Sequence, residues 1–243
     1  MKKQNRYLVV DAGNTRVKIG VYEDDLLEEN FAFSNDQLQE LKSFLIEYRF
    51  HHAILCSVRS KKDTQWLLQL MQGAVLFNTL PKYPVQIAYD TPETLGADRL
   101  ANVIAAHALC KGNALVIDVG TCVKFDFVDA AGVYQGGSIS PGIELRYRAM
   151  HEFTGALPLI HETGQAPWIG KSTRGCMHVG VIQGIQAELN HFVQHYDTHF
   201  QGLTIFVTGG DAQYFDFAAK NDIFVNENLT LQGLLITIQA HAQ

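Results

Sequence analysis

The sequence predicts an α/β protein built from two similar domains, residues 1–112 and 113–243, that face a central cleft. Three observations predict it. Short apolar runs of strand length alternate with amphipathic stretches of helical period along the chain. The stretch VVDAGNTRVKIGV at 9–21 returns at 116–128 as VIDVGTCVKFDFV; with one residue skipped, Asp11 matches Asp118, Gly13 matches Gly120, Thr15 matches Thr121 and Lys18 matches Lys124. The chain has 243 residues, 47% of them hydrophobic and 18% charged, which suffices for one or two packed domains. Two chance Asp-x-Gly turns are the plain alternative, but similar strand patterns flank both, which favours duplication. No repeat of roughly 20–50 residues is evident, so a stacked solenoid is disfavoured.

The elements follow in order. Residues 7–10 are an apolar first strand, and 17–22 with Phe31-Ala32-Phe33 complete a small antiparallel sheet. Asn35 or Asp36 can cap a helix whose Leu38, Leu41, Phe44, Leu45 and Tyr48 share a face. Residues 52–58 read as a strand, 61–71 as a helix, 74–78 as a further short strand, and 96–110 as a helix after a glycine turn. The boundary falls at Lys111-Gly112-Asn113. The second half restarts with a strand at 113–120, then strand, turn at Ala131-Gly132, strand, and a Gly/Pro loop, GGSISPG, at 136–142. Helices near 142–153 and 172–196 precede a strand that runs into Gly209-Gly210. Residues 229–241 form a closing helix that packs across the sheet of one domain.

Charge and composition narrow the function. The formal charge of −6 gives no broad basic surface, so neither nucleic acid nor an anionic membrane is an expected partner. No apolar run is long enough to span a bilayer. The opening MKKQNRYLVV has a basic flank, but Asp11 interrupts its short apolar stretch, so it reads as a buried strand rather than a signal peptide. Cys56, Cys110, Cys122 and Cys176 are scattered and read as reduced thiols in the cytoplasm.

The twin turns suit a phosphate. Backbone N–H groups in a tight Gly/Thr turn point at oxygen ligands, and small side chains let a phosphate approach. An aspartate ending the preceding strand repels phosphate directly but can hold a cation that touches it. Two such turns would grip a polyphosphate from both sides, and the Gly-rich TGGDA at 208–212 could lie under a nucleobase. Neither a Walker motif nor GxGxxG occurs, which disfavours a P-loop or a dinucleotide site. Taken singly, each turn is equally an ordinary Asx/Gly turn.

Six segments together carry a family resemblance: DAGNTRVK (11–18), TLGADRLAN (94–102), VIDVGT (116–121), GGSISPG (136–142), GKSTRGC (170–176) and TGGDA (208–212). In this order and spacing the chain resembles type III pantothenate kinase, within the superfamily of acetate and sugar kinases and actin. The resemblance implies two ribonuclease H-like, actin-like domains facing a central nucleotide cleft. It implies a cytoplasmic homodimer that phosphorylates pantothenate from ATP in the first committed step of coenzyme A synthesis. Mg2+ or another divalent cation would accompany ATP, with K+ or NH4+ as a monovalent cation.

Carried over by residue, the resemblance gives an ATP-binding loop of Asp11, Ala12, Gly13, Asn14, Thr15, Arg16, Val17 and Lys18, joined by Thr121. Asp11 would hold the divalent cation through ATP, and Asp118 the monovalent cation. Asp98 would be catalytic. Gly96, Ala97, Asp98 and Arg99, with Tyr89 and Thr173, would contact pantothenate. Cys122 stands where the family has alanine after Gly-Thr, a small residue for a small one.

The residue chemistry agrees. A carboxylate within hydrogen-bond reach of an alcohol can orient it and accept its proton as the P–O bond forms. Asp98 lies in the first turn of a predicted helix, which favours its ionised form. An Arg99 fork matches the pantothenate carboxylate. The plainer alternatives are a helix cap for Asp98, a solvated neighbour for Arg99, a half-buried aromatic for Tyr89 and N-terminal capping for Thr173, with Ser172. Other functions on the same scaffold stay open: a kinase for a sugar or another small acid, a phosphate-releasing hydrolase, or a nucleotide-dependent binding or regulatory protein. His191, His195 and His199 recur at helical spacing and read as exposed helix histidines rather than a zinc site. The segment from 143 to 169, rich in aromatic, Pro and Gly residues, is expected to close the substrate pocket or pack a subunit interface.

Overall fold

The computed structural model describes residues 5–217 and 222–241. The basic flank at 1–4 lies outside the described residues. The chain divides into two compact units, one of residues 1–109 and 228–243, the other of residues 110–227.

The first unit carries β1 (Arg6–Ala12), β2 (Arg16–Glu23), β3 (Leu26–Ser34), α1 (Leu38–Glu47), β4 (His52–Ser57), α2 (Lys61–Leu70), β5 (Val75–Leu76), β6 (Gln86–Ile87) and α3 (Ala97–Cys110, its last residue in the second unit). Its sheet runs β3-β2-β1-β4-β5. β1 to β3 pair antiparallel, while β4 joins β1, and β5 joins β4, in parallel. The central strand is buried on both sides, which is why β1 reads as a continuous apolar run rather than an alternating one. Leu8, Val10, Ile19 and Leu55 pack with Leu41, Leu45 and Leu67 of α1 and α2. Tyr7, Val9, Ile54 and Cys56 face the other way, onto Leu100, Ala101 and Ile104 of α3.

The second unit carries β7 (Ala114–Val119), β8 (Cys122–Val128), β9 (Val133–Pro141), α4 (Ile143–Glu152), α5 (Thr173–His199), β10 (Thr204–Thr208) and β11 (Ile223–Val225). Within this unit the strand order is β9-β8-β7-β10-β11. β7, β8 and β9 are antiparallel neighbours, and β10 and β11 join in parallel. Order and directions therefore repeat those of the first unit. Leu115, Ile117, Val119, Phe125 and Val207 pack with Tyr147 of α4 and with Met177, Val181, Ile185 and Leu189 of α5.

The closing helix, α6 (Leu229–His241), differs from the expected boundary: it belongs to the first unit, not to the second half. Its Leu231, Leu234, Leu235 and Ile238 are buried against β1, β4 and α3. Thr230 Oγ1 donates to Asn102 Oδ1 of α3 at 2.7 Å. A helix this apolar is most stable where it fills the second face of an already helix-covered sheet.

Four local readings change. α1 starts at Leu38 with Gln37 as N-cap, so neither Asn35 nor Asp36 caps it, and Leu38 is 40% exposed rather than on the buried face. The strand expected at 74–78 shrinks to β5 before a 3-10 turn. GGSISPG is not a loop: Gly136 to Pro141 pair with β8 as the end of β9. β11 was not anticipated, being three residues long. No helix among the described residues is long and apolar enough to cross a membrane.

Candidate active site

Both hairpins carry the same ladder pairing, although the first turn spans residues 13–15 and the second only 120–121. Asp11 stands just before the end of β1 opposite Lys18 of β2, and Asp118 just before the end of β7 opposite Lys124 of β8. Antiparallel register fixes this, because a one-residue slip would send every side chain to the opposite face. In the first turn Asn14, Thr15 and Arg16 are exposed and Asp11, Gly13 and Lys18 half-buried. Ala12 and Val17 lie in the core, so only their backbone can face a ligand.

Arg59 fastens the first turn. Its Nε donates to Gly13 O and its Nη2 to Asn35 Oδ1, both at 2.7 Å, while Asn35 Nδ2 donates to Asn14 O at 3.1 Å. These bonds satisfy the carbonyls of Gly13 and Asn14 in the turn. A lone arginine after a strand carries no pattern, so the sequence shows no sign of Arg59's role, and Asn35, expected as a helix cap, bonds to Arg59 and to the turn instead. A surface pocket of about 520 Å³ borders them, lined also by Lys62 and Trp66.

The second turn is held by backbone. Gly142 N donates to Thr121 O, and Asp211 N to Val119 O, both at 3.0 Å. Gly209 has φ +98°, and a Cβ there would fall 2.1 Å from Val119 O, so only glycine lets TGGDA cross this closely. Thr121 is exposed at the tip. Asp118 Oδ2 accepts from Lys124 Nζ at 2.7 Å, with both side chains 16% exposed.

In the first unit, Asp98 occupies the first turn of α3, half-buried. Its Oδ1 folds back over Gly96, where an added Cβ would come within 2.7 Å of it. Glycine at 96 thus makes room for the carboxylate. Arg99 is 4% exposed, which rules out a solvated neighbour, and its guanidinium carbon lies 5.8 Å from the centre of the Tyr89 ring. The structure therefore brings Tyr89, Gly96, Asp98 and Arg99 together; Ala97 is buried and offers backbone alone. Thr173 is exposed at the start of α5 in the second unit, and Ser172, not Thr173, caps that helix through Gly175 N at 3.0 Å.

A family model described as type III pantothenate kinase matches residues 7–195. The chain belongs to that family. A type III pantothenate kinase from Phocaeicola vulgatus is 38% identical over 230 residues, covering 93% of this chain and 95% of the relative. One from Flavobacterium johnsoniae is 38% identical over 239 residues, covering 96% and 97%. Among solved structures, a Campylobacter jejuni protein described as a Baf family transcriptional activator superposes with a TM-score of 0.64 at 19% identity, covering 97% of this chain and 98% of that one. A ROK family glucokinase from Streptomyces griseus, in complex with glucose and AMPPNP, gives 0.53 at 11% identity, covering 96% and 99%. At such identities these two show the fold, which is the actin-like α/β fold of sugar kinases.

The pantothenate kinase expectations for cations meet two different sites. Among the described residues no group of three or more His, Cys, Asp or Glu side chains is placed to hold a metal ion. A divalent ion held by one carboxylate such as Asp11 and by substrate phosphates fits that donor set. Asp118 fits a monovalent ion poorly, because a protein ammonium already bonds its carboxylate. The three α5 histidines are exposed, and His199 Nδ1 donates to the backbone carbonyl of His195 at 2.7 Å.

Proposed function

We propose that this chain transfers the γ-phosphoryl group of ATP to the primary hydroxyl of pantothenate, giving 4′-phosphopantothenate in the first step of coenzyme A biosynthesis. The observation that carries this reading is membership of the pantothenate kinase family over residues 7–195. Family-wide kinase chemistry brings ATP and a divalent cation. The residue roles are our assignment.

Asp98 orients the alcohol and accepts its proton. The alcohol oxygen bonds to the γ-phosphorus as the bond to the β–γ bridging oxygen breaks. An aspartate with Gly96 behind it can meet a bulky acceptor without its own chain in the way. Arg99 and Tyr89 recognise the pantothenate carboxylate and backbone; burial of Arg99 makes its charge worth more than a surface arginine's. Gly96, Ala97 and Thr173 complete the acceptor contacts. Asp11 to Lys18 and Thr121 bind ATP, with backbone N–H groups of the first turn toward its phosphates. Asp11 holds the hydrated divalent ion that offsets phosphate charge. K+ or NH4+ at Asp118 is the resemblance's further implication, and no step here runs through it.

The protein works in the cytoplasm as a homodimer in this reading. Exposed Phe153, Trp168 and Ile169, at 84%, 83% and 75%, support a partner surface on the segment after α4. An acceptor panel with ATP tests the function: pantothenate should be phosphorylated far faster than hexoses, acetate or water. A sugar that outpaces pantothenate, or phosphate release without an acceptor, overturns it.

A further inference from the structure

Lys124 and Asp118 are cross-strand partners in the β7–β8 ladder, so sheet register, not a flexible side-chain encounter, brings them together. Lys124 Nζ donates to Asp118 Oδ2 at 2.7 Å. Both side chains are 16% exposed, which removes much of the screening that weakens surface ion pairs. A lysine ammonium has the single charge and hydrogen-bonding character of NH4+. Because it is tethered, it reaches the carboxylate at an effective concentration that no dissolved ion at millimolar levels exceeds. A free cation would have to displace it and leave a half-buried ammonium without this carboxylate, a costly exchange. Asp11 and Lys18 share the same register in the first unit, so the basic residue belongs to the repeated device.

We infer that Lys124 is a built-in monovalent cation: its ammonium balances Asp118 and positions the second turn, and the enzyme turns over without added K+ or NH4+. The inference rests on the pantothenate kinase reading and departs from it at this one site. Lys124 acts through Asp118, so it is a positioning residue.

The experiment compares wild type, Lys124→Thr and Lys124→Met in KCl, NH4Cl, NaCl and choline chloride at equal ionic strength. It reads turnover, affinity for a non-hydrolysable ATP analogue, and Tm. Wild type should vary less than about twofold among the salts in turnover and analogue affinity, with no K+-specific rise in Tm. Lys124→Thr opens the position. In choline chloride it should lose turnover at least about tenfold, and K+ or NH4+ should restore both turnover and analogue affinity while raising its Tm. Lys124→Met, which removes the charge but fills the space, should lose turnover without rescue. Wild-type turnover or Tm that rises specifically with K+ overturns the inference, and so does a Lys124→Thr protein indifferent to K+. Should neither variant fold, the wild-type salt series alone decides. A wild type that phosphorylates no pantothenate in any salt defeats the functional reading instead, while its Tm series still judges the ammonium.

Discussion

The two units share strand order, strand directions and an Asp–Lys register, yet they hold their hairpin turns by different means. In the first unit a side chain does it: Arg59 bridges Gly13 and Asn35. In the second, backbone does it: Gly142 and Asp211 donate to the turn, and Gly209 allows the crossing. Duplication preserves what register enforces and leaves free how each turn's carbonyls are satisfied. A slip in pairing would invert a buried sheet face, whereas a carbonyl at a turn needs only some donor.

Breaking the backbone solution should cost most. Gly209→Ala places a Cβ against Val119 O and forces a positive φ on a residue that disfavours it. It should lower stability by about 3 kcal/mol, read as a shift in the urea midpoint without a change in slope. A wild-type midpoint would show that the TGGDA crossing is not tight.

The side-chain solution should be gentler and more specific. Arg59→Met removes donors to Gly13 O and Asn35 Oδ1 beside an open pocket, not a core. KM for ATP should rise about tenfold, with the pantothenate KM unchanged and only a small fall in Tm. Arg59→Lys, which can supply one donor, should recover part of the loss. Equal effects on both substrates would mean that Arg59 supports the unit at large rather than its phosphate turn.

Smallest is a titration with one buried tyrosine in each unit. Burial pushes Tyr22 and Tyr147 up to about 12 from the ordinary value of 10.0, with Glu162 adding to the effect at Tyr147. Tyr147 OH pairs with His178 Nδ1 at 2.9 Å, while Tyr22 OH has no hydrogen-bond partner among the described residues. A raised folded pKa means the neutral phenol is favoured in the fold. Its contribution is complete below pH 10.0 and is lost as pH climbs toward about 12. Tyr147→Phe should flatten the second unit's share of that alkaline loss, measured by urea unfolding across the range. An unaltered slope would place the loss elsewhere.

Much of this was legible in the sequence. The Asp11/Asp118 and Lys18/Lys124 matches predicted the duplicated hairpin, and the ladders repeat it residue for residue. The apolar run of β1 and the α3 pattern were readable because burial leaves a periodic trace. GGSISPG was misread because its glycines mimic a loop, although they pair with β8 in the ladder. The closing helix was foreseen as an element but not as a member of the first unit, since an apolar face does not name the sheet it will cover. Arg59 and Asn35 meet across two connecting segments 24 residues apart, for which a single chain leaves no periodic signal; the Lys124–Asp118 bond lies within one hairpin, but strand alternation alone does not say that the two side chains pair.

In the proposed reaction Asp98 steers an alcohol toward ATP. The most direct measurement pairs pantothenate-dependent turnover with calorimetric binding of an ATP analogue in wild type and Asp98→Asn. Turnover should fall by about a thousandfold while analogue affinity and Tm stay at wild-type values. An Asp98→Asn enzyme that still phosphorylates pantothenate at a comparable rate would contradict it.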